Sequence, residues 1–398
     1  MSNDVSSYPS RESMMQRWAD LTREITSASY GTGVEAPKGE LVVLGSGISH
    51  VDFTADAKAE IMSADYVFYC LYDRVTQIWL STIRPDAYDL YVLYDDETKR
   101  YFTYVQMAEA MLHYVRQGKK VVAIYYGHPG VFATPTHRAI QIARREGHVA
   151  RMRPGISALD YLIAEVGFDP AIPGMVNYEA SDMLLRKRKI DQSLHVVVWQ
   201  VGLVGDFGFR RAGFINDGFR CLVDVLVRAY GSEWKLTHYI ASRFVGVEPL
   251  IEEIPIGSLN NPEIRSEVSA LSTFYIPPSL AVPTDMEMAK ELQLVGPGEA
   301  APPPLRAPDM SRYGAAEVEA ISNLRQFKPP AEYTIPKRGP EAEFVLALTE
   351  DIDLQEEYRK NPESVLTGER YPAMTERARK LLSIPHPMAI ERSLYEAQ

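Results

Sequence analysis

The chain has 398 residues, 42 Lys and Arg against 53 Asp and Glu, and a net charge of −11, with 46% hydrophobic and 24% charged residues. This is the composition of a soluble globular protein long enough for two or three domains. The absence of any Lys/Arg-rich block argues against nucleic acid as the main partner, because phosphate neutralisation needs clustered cations. Two cysteines, Cys70 and Cys221, exclude a disulfide framework or a zinc site by count, and their apolar surroundings read as buried thiols. The N-terminus has no apolar signal core, and no run approaches the roughly 18 apolar residues of a membrane span. A reducing, cytoplasmic setting and no membrane partner are expected.

In chain order, residues 1–38 read as a polar arm that packs on a neighbouring surface. Met14, Met15, Trp18, Leu21 and Ile25 lie at helical spacing and predict one helix over 11–25. ELVVL at 40–44 is a first buried strand, ended by Gly45-Ser46-Gly47. That lone GxG lacks the third glycine of a dinucleotide fingerprint, so it does not indicate NAD. Thr54 or Asp56 is placed to cap a helix over 55–63. Residues 65–71 form a second strand and 89–94 a short extended piece. A helix follows over 102–117, then a strand over 121–125 and a helix over 135–146. Residues 149–154 read as a strand, Gly155 as a turn, and Ser157 as a helix start. Further strands are expected at 194–201, 237–241 and 272–276. A helix is expected at 219–230, and a bend at 254–259 before another helix. Alternating strands and helices favour an α/β domain with a largely parallel sheet.

After residue 278 the composition changes. Residues 279–340 are rich in proline and cannot make a compact core alone. They read as an extended clasp or linker with short helices at 285–294 and 314–326. Helical periodicity returns over 341–394. The expected organisation is an N-terminal arm (1–38), an α/β domain (39–278), the Pro-rich arm (279–340) and a helical module (341–398).

The strand VVAIY at 121–125 stops abruptly at Gly127, His128, Pro129 and Gly130. Two glycines permit backbone that bulkier residues avoid, and Pro129 fixes one φ. A strand ending in such a loop at the carboxyl edge of a sheet is where α/β proteins hold ligands; an ordinary tight turn would look the same. Upstream, residues 89–104 (DLYVLYDDETKRYFTY) gather Tyr91, Tyr94, Arg100 and Tyr104. Taken alone, they read equally well as a loop or hairpin with an aromatic stripe.

Six motifs occur in one order: YYGHPGVF, RPGISALDYL, NYEASDMLLR, WQVG, HYIA and STFYIPP. Together they resemble the borosin peptide α-N-methyltransferases of the omphalotin precursor type, within the tetrapyrrole-methylase superfamily. The resemblance is strong over 39–278 and looser beyond. It implies a two-lobed methyltransferase with S-adenosylmethionine (SAM) in the cleft, S-adenosylhomocysteine as product, and no metal. It also implies an intertwined homodimer in which the arm wraps the partner. Carried onto this sequence, it assigns cofactor contacts to Tyr126, His128, Val131, Ser157, Gln200, Ala241, Ser272 and Thr273. It places Tyr91, Tyr94, Arg100 and Tyr104 at catalytic positions.

The chemistry suits those residue types. A peptide nitrogen's lone pair is delocalised into its carbonyl, so attack on a methyl group requires loss of the amide proton or an imidate-like form. A guanidinium holds the developing oxyanion at any useful pH. Tyrosine hydroxyls donate to that oxygen or, when ionised, accept the proton. On this reading Arg100 stabilises the imidate oxygen, Tyr104 assists, and Tyr94 or Tyr91 handles the proton. The helical module resembles the leader-like, precursor-binding region of fused borosins. The apolar core peptide expected after it is replaced by MAIERSLYEAQ. The substrate is therefore expected in cis on a removed core, on a separate chain, or in the tail itself. Two other readings stand beside this one. A tetrapyrrole or cobalamin-precursor methylase would share the fold, and a peptide-binding scaffold would retain only a vestigial cofactor cleft.

Overall fold

The computed structural model describes residues 10–28, 37–211, 213–296, 313–331, 333 and 338–396. The chain divides into two compact units, Met1–Asp52 with Asp65–Met310, and Phe53–Ala64 with Ser311–Gln398.

The first unit opens with helix α1 (Arg11–Ser27) and strand β1 (Glu40–Gly45); helix α2 (Ala57–Ser63), which follows in sequence, groups with the second unit. Next come β2 (Tyr66–Cys70), α3 (Arg74–Ile83), β3 (Tyr88–Asp89), α4 (Arg100–Val115), β4 (Lys120–Tyr125), α5 (Thr134–Arg145), β5 (Val149–Met152) and α6 (Ala158–Val166). Their five strands form a wholly parallel sheet in the order β3-β2-β4-β1-β5. The central strands β1 and β4 are buried from their second residue onward, so each reads as a continuous apolar run rather than an alternating one. Val121, Ala123 and Tyr125 share one face of β4 and pack with Met107, Met111 and Leu112 of α4. The N-terminal helix joins the same core: Trp18 meets Tyr88 edge-on at 5.6 Å, and the Arg17 guanidinium sits 4.2 Å above the Tyr88 ring. Phe68→Ala at the centre of this core would cost about 3–5 kcal/mol.

The unit continues through β6 (Met175–Glu179), α7 (Ala180–Leu185), β7 (His195–Trp199), α8 (Phe219–Tyr230), β8 (Lys235–Ile240), β9 (Leu250–Pro255), α9 (Pro262–Glu267), β10 (Thr273–Ile276) and α10 (Met286–Glu291). Here the sheet order is β6-β7-β10-β8-β9. Only β6 and β7 run parallel; β10 is antiparallel to β7 and β8, and β8 to β9. The expectation of a largely parallel sheet therefore holds for the first sheet and not for the second. The direct β8–β9 hairpin has no crossover helix, and a parallel pair would need one. Helix α8 buries Phe219, Leu222, Val223 and Leu226, the i, i+3, i+4, i+7 stripe of an amphipathic helix.

Several local expectations change. Residues 89–94 are not extended: after β3 the chain turns through a 3₁₀ helix over Leu90–Leu93, started by Asp89, whose Oδ1 accepts the Tyr91 N–H at 2.9 Å. Helix α3 was not predicted, although Asp73 caps it by accepting from the N–H groups of Val75 and Thr76. Strands β6 and β9, which are only partly buried, also escaped prediction because they lack a clear apolar signature. Asp56 occupies the N-cap of α2 without a side-chain cap bond. Cys70 is half-buried and Cys221 is exposed on α8, so the expectation of two buried thiols fails for Cys221.

The second unit is helical: α11 (Ala315–Asn323), α12 (Pro340–Glu350), α13 (Ile352–Lys360), α14 (Pro362–Val365), α15 (Glu376–Leu382) and α16 (Pro387–Glu396). Its core gathers Phe344, Leu354, Tyr358, Val365, Met374 and Leu382. Of the predicted Pro-rich arm, residues 297–312, 332 and 334–337 lie outside the described residues. No helix among the described residues is long and apolar enough to cross a membrane.

Candidate functional site

The loop after β4 folds back on the end of β1. Gly127 and Gly47 exchange backbone hydrogen bonds, 2.9 Å from Gly127 N–H to Gly47 O and 3.3 Å in return. A Cβ on Gly45 would lie 2.3 Å from the Gly127 carbonyl oxygen. Gly45 thus serves close packing of this loop, and Gly47 takes a left-handed φ of 73° beside Asp52, which explains a GxG without a phosphate cradle. Within the loop His128 Nδ1 accepts the Gly130 N–H at 3.0 Å, and the Tyr126 N–H donates to the Cys70 carbonyl at 3.2 Å.

Behind this loop lies a cavity of about 320 Å³ between the ends of the two sheets. Tyr126, His128 and Val131 line it from the first sheet, with Ser157 at the N-cap of α6. Gln200, Ala241, Ser272 and Thr273 line it from the second. All eight residues assigned to the cofactor thus share one cavity wall. Two of them carry structural duties as well. Ser157 and Asp160 form a reciprocal capping box. The Ser272 hydroxyl is engaged by His238 Nε2 at 2.7 Å and accepts the Ser269 N–H at 2.9 Å. Gln200 sits in the left-handed region (φ 57°, ψ 34°) at the end of β7, where it turns the chain across the cavity mouth.

A second cavity, of about 750 Å³, shares the walls Tyr94, Tyr104, Phe132, Gln200, Ala270 and Leu271 with the first. Tyr91, Tyr94, Arg100 and Tyr104 all line it. Arg100 is the first residue of α4, so Tyr104, four residues on, stands on the same face one turn later. The Arg100 guanidinium donates to the backbone carbonyl of Gly208 and lies 5.7 Å from the Phe214 ring. Phe209 stacks on Tyr94 at 4.6 Å and meets Tyr91 edge-on at 5.7 Å.

The rings of Tyr94 and Tyr104 meet edge-on at 6.4 Å. Burial pushes both phenols above their usual range. For Tyr94 the nearby Cys70 and Tyr104 add to that rise, and Arg100 only partly offsets it. For Tyr104 the Arg100 charge, with Tyr94 adding to it, pulls back toward ionisation. The Cys70 thiol is pushed up to about 12 by burial, with Asp89 adding to it. No group of three or more His, Cys, Asp or Glu is placed to hold a metal among the described residues.

Sequence reasoning missed several wall residues: Cys70 and Tyr125 at strand ends, Tyr239 and Arg243 around β8, and Phe209 opposite Tyr94. Cys70 sits in apolar strand text with no motif, and Tyr125, the first residue of YYGHPGVF, reads there only as the end of the strand. Phe209 comes from a loop more than a hundred residues from Tyr94, and no local pattern links the two.

Residues 40–198 match the family Tetrapyrrole (Corrin/Porphyrin) Methylases. The chain is 40% identical to the methyltransferase and dendrothelin A precursor of Dendrothele bispora, over 76% of this chain and 75% of that relative. It is 38% identical to the methyltransferase and omphalotin A precursor of Omphalotus olearius, over 76% of this chain and 75% of that one. A type III borosin cyclic peptide precursor of Anomoporia bombycina is 38% identical over 94% of this chain, which spans 46% of that relative's length. The chain belongs to the borosin methyltransferase family.

Proposed function

We propose that this protein is a SAM-dependent methyltransferase that methylates backbone amide nitrogens of a ribosomally made peptide, in cis on its own C-terminal extension or in trans. It works as a homodimer. One observation carries the reading: Arg100, one helical turn from Tyr104, already holds a backbone amide carbonyl, that of Gly208, in a cavity sharing a wall with the cofactor cavity.

The first cavity fits a sulfonium nucleoside. Its walls are largely apolar and aromatic, with Tyr94, Tyr104, Tyr125 and Tyr126 among them, and electron-rich rings suit a cation. When bound, SAM supplies an electrophilic methyl group. Tyr126, His128 and Ser157 on one side and Gln200, Ala241 and Thr273 on the other would hold it. Arg100 then stabilises the oxygen of the acceptor amide as that amide takes on imidate character, displacing the Gly208 carbonyl. Tyr104, in its ionised form, accepts the amide proton; burial raises its pKa, and the Arg100 charge partly offsets that rise. Tyr94, whose ring meets that of Tyr104 edge-on at 6.4 Å, orients it rather than acting as base. Phe209 and Phe214 wall the acceptor cavity with rings and exclude water.

The test is incubation of the protein with SAM and candidate core peptides, read by tandem mass spectrometry. Stepwise one-methyl increments on peptide backbone nitrogens are expected. Methylation of a porphyrinoid but of no peptide would overturn the reading in favour of a tetrapyrrole methylase, and SAM binding without turnover in favour of a scaffold.

A further inference from the structure

Tyr125 ends β4 on the face that packs against α4. It is only 5% exposed, and its hydroxyl has no hydrogen-bond partner among the described residues. A buried hydroxyl left unpaired is destabilising, and phenylalanine would fill the same space without that cost. Native folds keep few such groups, and each calls for a reason. The surroundings of Tyr125 supply one. It lines the first cavity beside Cys70, Tyr94, Tyr104 and Met107, where that cavity adjoins the acceptor cavity. The other buried tyrosine hydroxyl without a partner among the described residues, on Tyr230, belongs to the core around α8 and lines neither cavity.

We infer that Tyr125 is a further ligand-contacting residue of this site, its hydroxyl kept unpaired in the free protein to donate to an oxygen of a bound reactant. The inference rests on the methyl-donor reading of the first cavity. The hydroxyl acts as a donor because burial, with Cys70, Tyr94 and Tyr104 adding to it, holds its pKa well above the usual tyrosine range. Its partner is therefore a hydrogen-bond acceptor. Two sources offer one: a carboxylate or ribose oxygen of the methyl donor, or the carbonyl of the acceptor amide. Neither Tyr94 nor Tyr104 satisfies it, since the Tyr125 hydroxyl makes no hydrogen bond to either.

Tyr125→Phe removes this one oxygen and tests the assignment. Without ligand, the variant's melting temperature should equal or exceed that of the wild type, because no protein hydrogen bond is lost. If the partner belongs to the methyl donor, calorimetric affinity for SAM or S-adenosylhomocysteine should fall about 3- to 10-fold, the value of one hydrogen bond. If it belongs to the acceptor, those affinities should hold and kcat/KM for the peptide should fall by a similar factor. Unchanged affinity together with unchanged kcat/KM would overturn the inference. So would a clear drop in the ligand-free melting temperature, which would reveal a partner within the protein. The same calorimetry on the wild type checks the premise: a wild type that binds neither SAM nor S-adenosylhomocysteine would overturn the methyl-donor reading itself, and this role with it.

Discussion

The Arg100 guanidinium donates to the backbone carbonyl of Gly208, a residue 108 positions away. Tyr104 stands one helical turn away and lines the same cavity, so the guanidinium has an amide oxygen and a phenol as neighbours. This geometry sets the expectation for Arg100→Ala. Turnover should fall about 10²- to 10³-fold, the usual loss when one oxyanion donor is removed. Arg100 lines the second cavity and not the first. Calorimetric affinity for SAM should therefore stay close to wild type, and a parallel loss of cofactor binding would argue against the assignment. Arg100→Lys should recover little, because an ammonium cannot reach both oxygens in the planar guanidinium geometry.

Tyr104 as base implies a pH dependence with a definite sign. Its pKa lies above the ordinary tyrosine value because burial outweighs the help from Arg100 and Tyr94. The phenol is therefore protonated at neutral pH, and its ionised fraction grows about tenfold per pH unit below the pKa. The methylation rate at saturating cofactor and peptide should climb steadily from pH 7 to pH 9. Tyr104→Phe should abolish that climb, whereas Tyr94→Phe should lower the rate and keep it. A flat wild-type profile would remove the phenolate from the mechanism.

Gly202 holds the turn that divides the two cavities. A Cβ there would lie 2.0 Å from the Ser269 carbonyl oxygen. Ala270 and Leu271, just beyond, face both cavities. Gly202→Ala must push this turn aside. Overpacking of this kind costs about 1–3 kcal/mol, visible by chemical denaturation. Affinity for SAM and KM for the peptide should worsen together, because both cavities share the displaced wall.

His238 and Ser272 clamp the same turn from the other side. The β8–β9 register sets Glu252 opposite His238, with the carboxylate 3.6 Å from Nδ1. Burial lowers the His238 pKa, so the ring is neutral. The carboxylate favours the N–H at Nδ1, and Nε2 accepts from the Ser272 hydroxyl. A double-mutant cycle of His238→Leu and Ser272→Ala should show a coupling of about 0.5–3 kcal/mol in stability. Simple additivity would mean the two side chains act independently.

Motifs made the family legible before any geometry was known. The alternating pattern around β1, β4 and α5 revealed the parallel sheet, because strands buried on both faces leave unbroken apolar runs. The Gly-Pro loop and the tyrosine-rich stretch marked the site because glycine and proline break the strand abruptly and the phenols cluster in a short span. Strands β6 and β9 did not stand out, since half-exposed strands carry mixed text.

By itself, then, the sequence determined the class of fold, the family, and the twelve residues that the structure gathers along two adjoining cavities. Tertiary structure alone decided how those residues act on one another. Arg100 and Tyr104 are neighbours through the helical repeat, which a sequence reader can count. The approach of Gly208 and Phe209, the edge-on meeting of Tyr94 and Tyr104, and the unpaired Tyr125 hydroxyl are not countable in this way. They depend on which distant backbone segments pack side by side, and a local pattern of residue types carries no information about that.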